Sequence, residues 1–265
     1  MQIVRVELRE VAIPMVSTFQ TSFGVIERRP TLLVKLYDSE GRVGYGEAAA
    51  LPAPLYSYET TGTCREILAR FIAPLVLHRP FATVEEFVAA YQGVRGNPFA
   101  KTGMETAFWH LLAQEQNCSL AQCLGGTQPR IPVGESLGIK KTLDELCAEV
   151  ELRLREGYRR IKVKIKPGWD LEVVRELRRV FGDIDLMVDA NSAYTLQDID
   201  LFKQLDAFHL TMIEQPLGYD DIVDHATLQK AIATPICLDE SIHSAEDARK
   251  AIQLGSCRII NIKPG

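Results

Sequence analysis

Five ionisable residues recur at nearly constant intervals in the second half of the chain. Lys164, Asp189, Glu214, Asp239 and Lys263 are separated by 25, 25, 25 and 24 residues. Each closes a short apolar run, such as Leu186-Met187-Val188 before Asp189 and Ile236-Cys237-Leu238 before Asp239. One strand, one helix and their loops fill such an interval, so neighbouring parallel strands would deliver the five side chains to one rim. Three carboxylates side by side cannot all stay ionised and dehydrated without compensating charge. A hard divalent cation supplies it, and an all-oxygen donor set suits Mg2+, with Mn2+ as the alternative. Any one of these acids could instead cap the helix that follows it. Three in register, flanked by lysines, point to a metal site made of Asp189, Glu214 and Asp239.

Lys164 and Lys263 fall on opposite flanks of the acids. Beside a divalent cation and partly desolvated, a lysine has its ammonium disfavoured, leaving an amine that can act as a base. A cation that grips a substrate carboxylate stabilises the enediolate formed when the adjacent carbon loses a proton. The set therefore spells proton abstraction alpha to a carboxylate. Lys166, two residues beyond Lys164, reads as a solvated surface charge.

The elements that must position these residues can be read in outline. From Ile131 onward, short apolar strands are expected at Ile131–Leu137, Arg160–Ile165, Asp185–Val188, Thr211–Ile213, Ile236–Leu238 and Arg258–Ile262. Amphipathic helices alternate with them at Leu143–Arg155, Leu171–Phe181, Leu196–Leu205, Asp221–Ile232 and Ala245–Leu254. Strands without period-two alternation, joined by helices, mean a parallel sheet covered on its faces. Six such units point to a (β/α)8-type barrel, truncated here after about six strands, and no GxGxxG turn supports an open dinucleotide-binding sheet. Closure needs two further units, so a C-terminal continuation is expected.

The first half has another rhythm. Strands are predicted at Ile3–Leu8, Thr31–Tyr37 and Val43–Glu47, followed by helices over Cys64–Leu77, from Thr83 onward and over Gly103–Gln116. The polar stretch Ser17–Gly24, carrying Phe19 and Phe23, reads as a long functional loop. Domains of residues 1–125 (α+β) and 126–265 (incomplete barrel) result.

Of 265 residues, 46% are hydrophobic and 25% charged, as in ordinary globular proteins. The net charge of −5 argues against a general nucleic-acid binder. No apolar run approaches the roughly 18 residues of a membrane span, and the charged N-terminus is no signal peptide, so a cytoplasmic protein is expected. The six scattered cysteines read as small buried hydrophobes rather than as a disulfide or metal site.

Asp-Ala-Asn, Ile-Glu-Gln-Pro, Leu-Asp-Glu-Ser and Asn-Ile-Lys-Pro-Gly, in this order and spacing behind Lys162-Val163-Lys164, resemble the enolase superfamily and within it the muconate-lactonizing subgroup. The stretches Arg160–Asp170 and Glu135-Ser136-Leu137-Gly138 are most similar to o-succinylbenzoate synthases of the kind that also racemise N-acylamino acids. The resemblance spans the whole chain, with the first 125 or so residues matching the family's capping domain, and it departs only in lacking the last two barrel strands. It implies a Mg2+-dependent lyase or isomerase acting on a small carboxylate, with Lys164 as the base and Lys263 as second base or enediolate stabiliser, a pairing established for that superfamily. It also implies a homo-oligomer, a lid over the substrate around Phe19 and Phe23, and substrate or outer-shell roles for Lys162, Asn191 and Ser136. A helix cap is the alternative for Asn191, a structural role for Lys162, and core contacts for the phenylalanines. A dipeptide epimerase or cycloisomerase, or a noncatalytic barrel module, are the competing functions.

Overall fold

The computed structural model describes residues 1–21 and 24–264. They fall into two units, the first built mainly from Met1–Met15 and Arg28–Arg130, the second from Val16–Glu27 and Ile131–Lys263.

The first unit carries a sheet of β1 (Ile3–Thr21), β2 (Gly24–Asp38) and β3 (Val43–Ala48) in that order. Leu32, Val34 and Leu36 alternate along β2 and are fully buried, which fixes its antiparallel register on β3, with Val34 opposite Gly46. The helices are α1 (Thr61–Ile67), α2 (Ala73–Val76), α3 (Val84–Ala89), α4 (Pro98–Glu115) and α5 (Leu120–Cys123). A single helix over Cys64–Leu77 does not form. A π turn at Leu68–Ile72 separates α1 from α2, next to Pro74, whose missing N–H breaks the ladder there. The α4 helix begins five residues before the expected Gly103. Its first turn is capped from a distance, because the buried Glu59 carboxylate accepts from the backbone N–H groups of Phe99 (2.8 Å) and Ala100 (3.1 Å). A β-carbon at Gly46 would lie 2.1 Å from the Gly103 carbonyl oxygen, so β3 rests directly on α4.

Two further expectations fail in this half of the sequence. The stretch from Ser17 is not a loop: β1 runs through Thr21 and β2 resumes at Gly24, and Phe23 lies outside the described residues. Residues 12–18 are exposed on both faces of the strand, so no apolar alternation marked them as strand. Cys118 and Cys123 are joined in a disulfide, and only Cys64 and Cys237 are fully buried. Cys118 stands just before α5 and Cys123 ends it, so the one turn of α5 brings the pair together, a proximity that composition does not reveal.

The second unit is a six-stranded parallel sheet whose spatial order is the chain order: β4 (Glu135–Leu137), β5 (Arg160–Lys164), β6 (Asp185–Asp189), β7 (Ile213–Glu214), β8 (Ile236–Leu238) and β9 (Ile259–Ile260). Between them run α6 (Leu143–Arg155), α7 (Leu171–Phe181), α8 (Ile199–Leu205), α9 (Val223–Ala231) and α10 (Ala245–Leu254). Four crossovers start on a cap legible in sequence: Thr142, Asp170, Thr195 and Ser244 each accept from the first turn that follows. The end strands are shorter than expected, since Ile131 and Val133 are exposed and only Ile259–Ile260 pair in the sixth. Val163, Val188, Ile213 and Ile236 are register partners and form one fully buried row of the core beneath the helices. The next row along the strands, on the opposite face, is Lys164, Asp189, Glu214 and Cys237. Among the described residues no helix is long and apolar enough to cross a membrane.

Candidate active site at the strand ends

Parallel register delivers the predicted residues side by side. Lys164 Nζ donates to Asp189 Oδ2 (2.6 Å) and to Asn191 Oδ1 (2.6 Å). Lys162, two residues earlier on the same face of β5, reaches both Glu214 oxygens (2.9 and 3.1 Å) and lies 3.1 Å from Asp189 Oδ2. Asp239 follows β8 directly and pairs with Lys263, which follows β9. The three carboxylates are almost wholly buried: Asp189 is 1% exposed, Glu214 2% and Asp239 4%. Among the described residues no three Asp, Glu, His or Cys side chains close on one point as a preformed metal cage. Each carboxylate is turned instead towards an ammonium.

The electrostatics record what those ammoniums do. Burial raises the Asp189 pKa, but Lys164 and Lys162 outweigh it and hold the carboxyl below its ordinary range. Burial raises Glu214 as well, and the neighbouring Asp189 and Asp239 carboxylates overcome the help of Lys162, so it stays above the ordinary value. Burial disfavours the charged forms of Lys162 and Lys263, yet the acids facing them raise both. Glu240 is pushed up to about 7 by burial first, then by Asp239 and Asp189. Four acids thus share the compensation of three lysines, and negative charge is left over. All-oxygen donors with surplus negative charge fit a hard divalent cation, provided that Lys162 and its neighbours yield their places.

Two family models cover nearly the whole chain. Residues 3–125 match the mandelate racemase / muconate lactonizing enzyme N-terminal domain, and residues 145–265 match the enolase C-terminal domain-like family. The chain belongs to the enolase superfamily. An o-succinylbenzoate synthase of Geobacillus stearothermophilus is 51% identical over 97% of this chain and 69% of its own length. An N-succinylamino acid racemase of Thermus thermophilus is 47% identical over 100% of this chain and 71% of its own. A solved dipeptide epimerase of Enterococcus faecalis, complexed with Mg and the dipeptide L-Leu-L-Tyr, superposes with a TM-score of 0.90 at 26% identity, covering 100% of this chain and 75% of that one. These enolase-superfamily relatives are enzymes, lyases and isomerases.

The remaining expected residues take varied places in this superfamily frame. Asn191 joins the network through Lys164, and its own N–H donates to Asp189 Oδ1 (3.0 Å); it caps no helix, the cap there being Thr195. Ser136 is half-buried on β4, in register with Lys162. Phe19 is half-buried on β1, whose neighbour Gln20 accepts from the Ile139 N–H (2.9 Å). A β-carbon on Gly138 would lie 2.8 Å from the Gln20 carbonyl oxygen, so only glycine admits the strand there. Lys166 forms no part of the site; its backbone pairs with Trp169.

Three participants escaped sequence reasoning. Asn261 Nδ2 donates to Glu214 Oε1 (3.0 Å), and it stands two residues before Lys263 as Lys162 stands before Lys164, so the repeated spacing was a usable signal. Gln215 accepts from the Asp239 N–H (3.0 Å) and donates to Ser241 Oγ (2.6 Å), tying the ends of β7 and β8 together. Glu240 is buried beside the site although strand alternation would turn it away. β8 ends at Leu238, so alternation no longer governs it.

Proposed function

We propose that the protein abstracts a proton alpha to a carboxylate, with Asp189, Glu214 and Asp239 holding a divalent cation and Lys164 and Lys263 serving as the bases. The observation that supports it is the order along the sheet: a lysine at the end of β5, buried carboxylates at the ends of β6 and β7 and directly after β8, and a lysine after β9. The cation, when bound, neutralises a substrate carboxylate and the charge that develops on it. Lys164 Nζ takes the α-proton, and the electron pair of the broken C–H bond passes into the carboxylate, giving an enediolate. Lys263 stands across the acids. In the dehydration Lys263 stabilises the enediolate while the Lys164 ammonium returns its proton to the β-hydroxyl. The C–O bond breaks, water leaves and the enediolate electron pair forms the C=C bond. In the racemisation Lys263 instead delivers a proton to the opposite face.

Dehydration to o-succinylbenzoate is the activity we assign first, and racemisation of an N-succinylamino acid second, because both start from one intermediate. Relatives of both kinds, at 51% and 47% identity, favour keeping the two together. Mg2+ rather than Mn2+, a cytoplasmic location and homo-oligomerisation belong to the same proposal.

The test supplies, in D2O with Mg2+, the β-hydroxy acid that dehydrates to o-succinylbenzoate and, separately, an N-succinylamino acid. The expected result is aromatic product from the first and α-deuterium in the second. Lys164→Ala should reduce product formation, and the loss of the α-proton taken by that lysine, by about 10²–10⁴-fold. A wild-type protein that exchanges neither substrate would leave only a noncatalytic module.

A further inference from the structure

Glu240 has no task in the chemistry above, yet it is buried, at 8% exposure, against the residue that contacts the proposed base. Its Oε1 accepts from Asn191 Nδ2 (2.9 Å), while Oε2 is buried without a hydrogen-bond partner among the described residues. The other end of the same amide, Asn191 Oδ1, accepts from Lys164 Nζ (2.6 Å). The Asn191 backbone is itself pinned, with φ at +43° and its N–H on Asp189 Oδ1. The two ends of an amide are not interchangeable, since the nitrogen only donates and the oxygen only accepts.

We infer that Glu240 is a positioning residue for Lys164: by holding Asn191 Nδ2 it keeps the amide oxygen towards Nζ and so keeps the lysine lone pair free for the α-proton. Turned over, the amide would set oxygen against the Glu240 carboxylate and its NH2 group against Nζ. An NH2 group there would donate into the lone pair of the amine and occupy the base. In the observed orientation, two N–H bonds of Nζ are spent on Asp189 Oδ2 and Asn191 Oδ1, which fixes the direction left for the lone pair. Lys263 pairs with Asp239, so Glu240 meets the two bases in different ways, through the Asn191 amide at Lys164 and through its charge alone in the field felt by Lys263.

This inference rests on Lys164 being one of two bases, and the experiment separates the two claims. Each enantiomer of an N-succinylamino acid is incubated with Mg2+ in D2O, and α-deuterium is scored separately in retained and inverted material. Lys164→Ala should abolish exchange of one enantiomer only, while the other still exchanges with retention through Lys263. If Lys164→Ala shows no such selectivity, the two-base reading fails. Given that selectivity, Glu240→Ala should slow exchange of the same enantiomer 10- to 100-fold through kcat, with KM and Mg2+ affinity changed less than threefold. The retained exchange of the other enantiomer should fall less than threefold. Glu240→Gln, whose amide can accept from Asn191 Nδ2 but can also donate to a turned-over Asn191, should recover only part of the loss. Asn191→Ala should reproduce the selective loss, and adding Glu240→Ala to it should cost less than a further twofold. It also serves if Glu240→Ala fails to fold. Equal loss for both enantiomers, no loss in either variant, or full additivity of the pair would overturn the inference.

Discussion

Lys162 is where the energetics of the site concentrate. Its ammonium bridges Asp189 and Glu214, both nearly inaccessible to water, and only a fifth of its side chain is exposed. Removing one partner of such a set leaves buried charge uncompensated, at a cost of about 3 kcal/mol. Lys162→Met should therefore lose about that much stability in EDTA, measured by denaturant unfolding. It should also be stabilised by Mg2+ more than the wild type, because the cation then replaces the missing ammonium. Equal midpoints in EDTA together with equal Mg2+ shifts would refute this. At this scale the sequence was informative where strand periodicity applied. The interval of about 25 residues identifies Lys164, Asp189, Glu214, Asp239 and Lys263, whereas Lys162 was indicated by the family resemblance. The sequence was silent on Glu240 and Gln215, whose roles depend on contacts made after the strands have ended.

The elements were legible in proportion to how locally they are determined. The helices Leu143–Arg155, Leu171–Phe181 and Ala245–Leu254 lie where their side-chain caps and apolar stripes put them. The start of α4 was not legible, because its cap is Glu59, some forty residues away. Nor was the length of β1, whose outer part is exposed on both sides. That strand is held to the end of β4 by the bond between Ile139 and Gln20, and Gly138 makes the approach possible. Gly138→Ala forces backbone against backbone, and overpacking of this kind costs about 1–3 kcal/mol. Denaturant unfolding should register that loss; a change below about 0.5 kcal/mol would mean the strand is not seated as described.

Stability of the whole molecule should respond to pH through His225. Its ring is fully buried at the start of α9, where Nε2 accepts from the Leu217 N–H (3.1 Å) and Nδ1 faces Asp221 Oδ2 (2.7 Å). Burial lowers its pKa, and Asp221 only partly offsets this. Above the unfolded value of about 6.5 neither state is protonated, so no pH dependence arises from this group. Below it the unfolded chain takes up a proton that the folded ring refuses. Stability then falls with pH by at most about 1.4 kcal/mol per unit. The advantage of wild type over His225→Gln should therefore narrow between pH 6.5 and 5; a constant difference would show that the ring is not held neutral.

The proposed chemistry depends on Asp189, Glu214 and Asp239 gripping one ion together. Mn2+ titration followed by electron paramagnetic resonance addresses this directly. The expected result is one ion per chain for the wild type, with affinity reduced at least tenfold in each of Asp189→Asn, Glu214→Gln and Asp239→Asn. Wild-type affinity in all three variants would contradict it.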